Sequence, residues 1–248
     1  MTLWRIMQLE EHNAYANMAI DEAILESVRD ARSNPTIRFY RWNPCAVSIG
    51  RFQSMNDEVN VPRCTSEGVT CVRRITGGGA VYHDYNGELT YSIIGKEVLF
   101  PKSIWESYRV ICGRIIKGLG KIGINAEFSP INDITVNGRK ISGNAQTRRE
   151  GVLLQHGTIL YRTDVARMFS LLNVSKEKIS DKMIKSAEDR VTSVYSLSKI
   201  SFQELYEAVM AAMTEYREFE MGSLSPIEAS RASELVRTYS SNSWNFSR

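Results

Sequence analysis

VTCVRRITGGGAVYHDYNGELTYSII, residues 69–94, decides the fold class. Val69 to Ile75 is rich in β-formers, Thr76-Gly77-Gly78-Gly79 breaks the run, and Glu88 to Ile94 resumes it. This is the pattern of strands joined by a glycine loop. Upstream, Thr36 to Trp42 and Ala46 to Gly50 read as short strands on either side of Asn43-Pro44, a turn signal because proline fixes φ and withdraws its donor. Before them, Ile20, Ala23, Ile24 and Val28 share one face of an amphipathic helix from Asn17 to Val28, with Asp21, Glu22 and Glu26 elsewhere on it.

Downstream, Ser103 and Glu106 form a capping box ahead of Tyr108, Ile111, Cys112, Ile115, Leu119 and Ile122, whose spacing of three and four predicts a helix. Asp133 to Val136 and Arg139 to Ser142 flank Asn137-Gly138, the strongest local signal for a type I′ hairpin. Gly151 to Tyr161 reads as a further strand. The remaining chain reads as mainly helical, with caps at Ser201/Glu204 and Ser225-Pro226/Glu228. Central strands with flanking helices, and no strict βαβ alternation, predict an α+β fold: a mixed or antiparallel sheet flanked by helices.

No repeat or linker divides the 248 residues, so one catalytic domain over 1–248 is expected. The chain is 43% apolar and 24% charged, and 31 Lys+Arg against 28 Asp+Glu leave +3, values that exclude disordered, collagenous and disulfide-scaffold classes. No run approaches the roughly 20 apolar residues of a membrane span, and Met1-Thr2-Leu3-Trp4-Arg5 opens no signal peptide, so a cytoplasmic protein without a membrane partner is expected. Lys and Arg form no stripe of the kind that marks a nucleic-acid partner. Cys45, Cys64, Cys71 and Cys112 show no CxxC or zinc spacing and read as reduced, mostly buried thiols. Three histidines without HExxH make no dedicated metal cage, so any metal arrives with the substrate.

Chemistry concentrates in three places. The first is Arg73-Arg74 through Gly77-Gly78-Gly79 to His83-Asp84. Residues without Cβ let backbone N–H groups approach an anion, and a nearby guanidinium adds charge-assisted bonds. A glycine triplet alone equally marks a tight connection needing positive φ. His83 and Asp84, being adjacent, diverge and need not touch. The second is the hairpin with Asn132, Asp133, Lys140, Gly143 and Gln146. Alternation puts Lys140 and Ser142 on one face and Arg139 and Ile141 on the other, directing Lys140 to the concave side of the sheet. There it serves as a fixed cation on a phosphate or acyl oxygen, or as a base; alone it reads equally as a solvated hairpin lysine. The third is His156 in Gln155-His156-Gly157-Thr158, in isolation a satisfied core histidine beside a glycine that eases packing.

In this order the three segments resemble the catalytic domain of the lipoate-protein ligase A family. The matching residues are Arg73-Arg74 through Gly79-Ala80-Val81-Tyr82-His83-Asp84, Asn132-Asp133, Gly138-Arg139-Lys140-Ile141-Ser142-Gly143-Asn144-Ala145-Gln146 and His156-Gly157-Thr158. The resemblance runs from the first helix to Ser243-Trp244-Asn245. It implies the α+β fold shared with biotin ligases and octanoyl transferases, and a two-step reaction. Lipoate attacks the α-phosphate of ATP to give lipoyl-AMP, and the acyl group then passes to a carrier lysine, with both nucleophiles supplied by substrates.

Carried over, the resemblance implies that Arg74 and the backbone of Gly77, Gly78 and Gly79 line the lipoyl and adenylate site. Lys140 bridges phosphate and acyl carbonyl, Asp133 orients Lys140 or accepts Mg²⁺, and His156 and Thr158 border the pocket. Tyr82, His83, Asn132, Ser142, Gly143 and Ala145 complete the binding set. An apolar acyl tunnel draws on Phe39, Tyr40, Trp42, Val47 and Tyr82. The partners implied are lipoyl carrier domains, those of the acyltransferase subunit of 2-oxoacid dehydrogenases and the glycine-cleavage H protein. Longer ligases continue into an accessory domain that is expected to be absent here, so two outcomes follow: a separate accessory subunit packing on an exposed apolar patch, the favoured one, or a chain that alone performs one half-reaction. The stretch from Glu177 to Arg190 is either a solvated helix or a loop closing over the nucleotide.

Two other readings stay open. Gln146-Thr147-Arg148 and Gly151-Val152-Leu153-Leu154-Gln155-His156-Gly157 look as much like octanoyl transferases, which pass an acyl group between carriers through a cysteine thioester without ATP. No cysteine stands in Phe128-Ser129-Pro130-Ile131-Asn132-Asp133, where one transferase branch carries it, nor after His156. The other reading is a non-catalytic carrier- or nucleotide-binding protein on the same fold.

Overall fold

A computed structural model describes residues 2–173 and 189–248, so the charged stretch after Glu177 lies outside the described residues up to position 188. The strands are β1 (Leu3–His12), β2 (Thr36–Trp42), β3 (Ala46–Ile49), β4 (Thr70–Arg73), β5 (Val81–His83), β6 (Glu88–Lys96), β7 (Glu127–Ser129), β8 (Asp133–Val136), β9 (Arg139–Arg149), β10 (Val152–Leu160) and β11 (Glu218–Gly222). The helices are α1 (Ala14–Arg29), α2 (Met55–Glu58), α3 (Val61–Ser66), α4 (Ile104–Lys121), α5 (Val165–Leu171), α6 (Val194–Ser198), α7 (Phe202–Thr214), α8 (Pro226–Tyr239) and α9 (Asn242–Asn245).

Eight strands form one mixed sheet in the order β11-β1-β2-β6-β10-β9-β8-β7, parallel across the first three and antiparallel beyond. A second sheet, β4-β3-β5, carries the glycine loop between its outer strands. The expected α+β class is the observed one.

Period-two alternation distributes the large sheet's side chains between two layers. Ile37, Phe39, Tyr91, Leu153 and Ile159 join α4 and α7 in one core. Tyr40, Trp42, Ile94, Val152 and Leu154 join α1 and α8 in the other. The helix expected from Asn17 begins earlier, at Ala14, because the Asn13 side chain accepts from the Ala16 N–H and caps it. Asp21 and Glu22 correct the amphipathic reading: they are 2% and 9% exposed, facing inward with the apolar stripe. The boxes at Ser201/Glu204 and Ser225/Glu228 are reciprocal, whereas at Ser103 only the Glu106 N–H bond forms.

The hairpin turns at Asn137 and Gly138, both at positive φ as a type I′ turn requires. Its register shifts by one residue, Thr135 pairing with Lys140 but Ile134 with Ser142. This bulge corrects the expected alternation. Ile141 joins the α4 core and Ser142 pairs with Ile159 on the same side, which leaves Lys140 to the opposite, concave face. Lys140 reaches the expected side by a bulge, not by sharing a face with Ser142.

Exposed apolar side chains include Phe219 and Met221 on the edge strand β11 and Ile104 and Trp105 at the start of α4. No described helix is long and apolar enough to cross a membrane.

A buried ion pair ties α8 to β1. Arg5 Nη1 and Nη2 donate to Glu228 Oε2 and Oε1 at 2.6 and 2.7 Å, and Ser33 Oγ and the Ser225 N–H donate to the same carboxylate. Burial, the largest single influence, would raise the Glu228 pKa; the bonds from Arg5, the Ser225 N–H and Ser33 together outweigh it and hold the carboxyl below its usual range. A depressed carboxyl contributes stability above the unfolded-state pKa and loses it as pH falls through the folded one. Glu228→Ala, which leaves Arg5 buried and unpaired, is expected to cost about 3–5 kcal/mol in urea denaturation at pH 7. The deficit should shrink as pH falls below the unfolded-state value of about 4.3 and on through the lower native one.

Candidate active site

The tandem arginines at the end of β4 diverge. Arg73, fully buried, donates to the Gly50, Arg51 and Gln53 carbonyls and to those of Trp244 and Asn245, fastening α9 to the loop after β3. Arg74 turns to the glycine loop. Its Nε donates to Thr76 Oγ1 at 3.1 Å, its Nη1 to Ser48 Oγ at 3.1 Å, and its Nη2 to the Gly77 and Gly79 carbonyls at 2.8 Å. Burial, the main cause, lowers its pKa to about 10, so it stays cationic at neutral pH.

A peptide unit's C=O and N–H point in opposite directions. Carbonyls of Gly77 and Gly79 drawn onto Arg74 therefore turn the N–H groups of Gly78 and Ala80 outward. Gly78 itself sits at φ +96°, and its carbonyl occupies the space a Gly50 Cβ would need, 2.1 Å away. Among the described residues no acceptor faces the N–H groups of Gly77 to Ala80. Those of Gly78 to Ala80 form a row of free donors on residues that line a cavity of about 130 Å³.

The cavity lies between the small sheet and the concave face of the large one. Of the residues singled out in the sequence, Arg74, Gly78, Gly79, His83, Asn132, Lys140, Gly143, Ala145, His156 and Thr158 line it. Gly77, Tyr82 and Ser142 do not. Tyr82 alternates with Val81 and His83 and faces the opposite core, as Val47 alternates with Ser48. Of the proposed tunnel residues only Tyr40 and Trp42 contribute, Phe39 facing α7. Met18, Ser48 and Thr90 also line it without having been singled out, and Ala80, Val81, Asn144 and Gly157 do so from within the matching motifs without an assigned role. For Ser48 and Val81, the signal was the same alternation, applied beside Val47 and His83.

Asp133 lies behind the lining and fixes the cation: Lys140 Nζ stands 2.7 Å from Asp133 Oδ1. A Cβ on Gly143 would lie 2.8 Å from that ammonium, so the glycine gives the lysine its path into the cavity. Asn132 and Asn144 exchange side-chain-to-backbone bonds in both directions, tying the hairpin's base to β9. Gly157 is required by the Asn144 carboxamide, whose Oδ1 would stand 2.0 Å from an added Cβ.

His156 is 7% exposed, its Nδ1 3.3 Å from Asp21 Oδ2 and its Nε2 2.8 Å from Thr76 Oγ1. Asp21 also accepts from Arg38, Tyr40 and Ser92. Since Asp21 accepts at Nδ1 and Thr76 has a hydroxyl to donate at Nε2, the partners select the neutral Nδ1–H tautomer. Burial, only partly offset by Asp21, lowers the His156 pKa.

All four cysteines are among the described residues, and none lines the cavity. Cys112 lies on the α4 side, its Sγ 3.9 Å from Gln155 Nε2, and burial pushes its thiol up to about 12. Cys64 Sγ donates to the Leu171 carbonyl and Cys71 Sγ to that of Val69, and the neighbouring Cys64 thiol together with burial raises the Cys71 pKa. No cluster of three metal-ligating side chains occurs among the described residues. Asp133 is a lone carboxylate, a donor set that suits Mg²⁺ only when substrate phosphates supply further oxygens.

Residues 13–214 match the family described as lipoyl protein ligase A/B catalytic domain. Curated relatives include the octanoyltransferase LipM of Brevibacillus brevis, 37% identical, and that of Clostridioides difficile, 34% identical, each aligned over all of both chains. The Brevibacillus alignment runs over 278 positions against 248 residues here. Among solved structures, a bipartite lipoate protein ligase from Thermoplasma acidophilum, described with its E2 lipoyl domain, superposes with a TM-score of 0.90 at 31% identity over 99% of this chain and 96% of that one. A lipoate-protein ligase A bound with ATP gives 0.85 at 29% identity over 99% of each chain.

Two outcomes test this geometry. A native histidine with a lowered pKa resists a proton that the unfolded chain accepts near pH 6.5, so its contribution to stability is present above that pH and lost as pH falls. Urea titrations should therefore show stability declining between pH 7 and 5, with a smaller slope in His156→Gln. Gly50→Ala should displace the Gly78 carbonyl and weaken anion binding at the loop at least tenfold, read by calorimetric titration with AMP.

Proposed function

The chain belongs to the lipoyl protein ligase A/B catalytic-domain family, and from that premise we propose that it is an ATP-dependent lipoate-protein ligase. Lipoate and ATP give lipoyl-AMP and pyrophosphate, and the lysine amine of a lipoyl carrier domain then takes the acyl group as AMP leaves. The carrying observation is that the cavity offers a fixed ammonium and a row of unpaired backbone donors but none of the chain's four thiols.

Both steps build negative charge, on a five-coordinate phosphorus and then on a tetrahedral carbon. Donors fixed beforehand are worth most where charge develops in a site shielded from water. Lys140 contributes its ammonium between phosphate and carbonyl oxygens, held by Asp133 so that little reorganisation remains. The Gly78 to Ala80 N–H groups receive phosphate oxygens, and Arg74 acts from behind, with its donors spent on the loop and Ser48. Met18, Tyr40 and Trp42 offer the apolar wall for the acyl chain. Mg²⁺ bound with the triphosphate would take Asp133 as its protein ligand and neutralise phosphate charge. The bipartite description of the Thermoplasma ligase, named with its E2 lipoyl domain, supports a second part for the enzyme here and lipoyl domains as its carriers.

The second reading is ATP-independent octanoyl transfer between carriers. It is favoured by the curated relatives, which carry that name across the whole chain, and sequence comparison alone ranks it above the ligase. A cysteine nucleophile for it is what the cavity lacks.

Pyrophosphate release with ATP and Mg²⁺ separates the two. The ligase reading expects release with lipoate, compared with octanoate and biotin, and acylation of an added apo lipoyl domain. Silence with every free acid, together with transfer from an octanoylated carrier, would move the protein to the transferases. Lys140→Ala should lower pyrophosphate release by about 10²–10³, with an unchanged unfolding midpoint because the side chain is 43% exposed.

A further inference from the structure

Ser48, His83 and Glu88 stand in line across the cavity wall. Ser48 Oγ lies 2.8 Å from His83 Nε2, and His83 Nδ1 lies 2.7 Å from Glu88 Oε1. Three strands supply them, β3, β5 and the start of β6, and Ser48 and His83 both line the cavity. We propose that Ser48 is a nucleophile activated by His83 and Glu88, and that through it the chain takes acyl groups from thioesters, beside activating free acids with ATP. The proposal rests on the reading of this cavity as an acyl-transfer site.

Each member has a partner suited to its part. Glu88 takes the His83 Nδ1–H, which leaves Nε2 free to receive the serine proton. Thr90 Oγ1 donates to Glu88 Oε1 at 2.9 Å, and Trp42 Nε1 donates to Thr90 at 2.9 Å, so the carboxylate is held in place. Glu88 Oε2 is buried with no hydrogen-bond partner. An undersatisfied carboxylate is costly in a core unless a positive charge appears beside it, and an imidazolium at His83 would be that charge. The Trp42 ring stacks on His83 at 3.7 Å and 12°, where its π face stabilises the same cation. Arg74 Nη1 donates to Ser48 Oγ and stabilises a developing alkoxide. The free N–H groups of Gly78 to Ala80 line the same cavity and can receive a tetrahedral oxyanion.

In the first half-reaction Ser48 Oγ attacks the thioester carbonyl carbon while its proton passes to His83 Nε2. The C–S bond breaks, sulfur keeps the electron pair and takes the proton back from His83, and an acyl ester of Ser48 and a free thiol remain. In the second, the neutral amine of a carrier lysine attacks the ester. Its proton passes through His83 to Ser48 Oγ as the C–O bond breaks, giving the amide and free serine. No oxidant or further reactant is needed.

The test uses the whole chain with an octanoyl thioester of a phosphopantetheine carrier protein and no ATP. Intact-mass spectrometry after acid quench should show one octanoyl group, peptide mapping should place it on Ser48, and apo lipoyl domain should discharge it. As an oxygen ester it should survive neutral hydroxylamine that cleaves a thioester. Glu88→Gln should slow its formation by up to about 10⁴-fold. No adduct on the wild-type chain, an adduct on a cysteine or on Lys140, or a Ser48 ester that the lipoyl domain cannot discharge would each overturn the proposal. Pyrophosphate release with lipoate, measured in parallel, stands or falls separately and reports on the ligase reading alone.

Discussion

A buried guanidinium organises the site. Arg74 has five N–H donors and no water to satisfy them, so the chain around it must supply acceptors. It does so with the two glycine carbonyls, Thr76, and the Ser48 hydroxyl and carbonyl. Through Thr76 the constraint reaches His156 and then Asp21 on α1; through Ser48 it reaches His83 and Glu88. Two sheets and a helix are thereby fixed to one another by a continuous polar chain. Such networks are stable only when nearly every member is satisfied, which is why the one bare carboxylate oxygen, Glu88 Oε2, stands out within it.

The same constraint produces function from local geometry. A loop whose carbonyls are consumed inward has its amide hydrogens left over on the other side. The row of free amide hydrogens is thus a by-product of satisfying Arg74, and Gly50 shapes it by yielding space to Gly78. Arg73 performs the matching task for the back of the small sheet, where its bonds to Trp244 and Asn245 clamp α9.

The fold was legible in sequence where one periodicity ruled. β2 was read to the residue and the Asn137-Gly138 turn by its type, because alternation and positive-φ chemistry are local properties. The site was legible by segment more than by residue. Tyr82 and Val47 were chosen as tunnel residues although their neighbours His83 and Ser48 face the cavity, an error of one step in a period of two. Lys140 was placed on the correct side by an alternation that the bulge at Ile141 breaks. Asp21 was set apart from the apolar stripe because hydropathy cannot register a partner. Its burial depends on Arg38 from β2, Ser92 from β6 and His156 from β10, contacts that exist only once the sheet has formed.

Ligase and transferase differ in the leaving group more than in the acyl carbon. In the ligase reading AMP departs as an anion and needs a cation, which Lys140 would provide at one side of the cavity. A thiol departs best with a proton, which an imidazolium at His83 would provide at the other. The carbonyl oxygen has the same need in both cases, and in either proposal the amide hydrogens of the glycine loop would meet it. A cavity with these two ends needs no change of fold to exchange one acyl donor for the other; it needs only that the carbonyl sit between them. The relation between relatives named octanoyltransferase and neighbours that are lipoate ligases then becomes a question of which end is chemically complete in a given chain. Here the ammonium end carries its positioning carboxylate, and the imidazole end carries both a hydroxyl and a carboxylate.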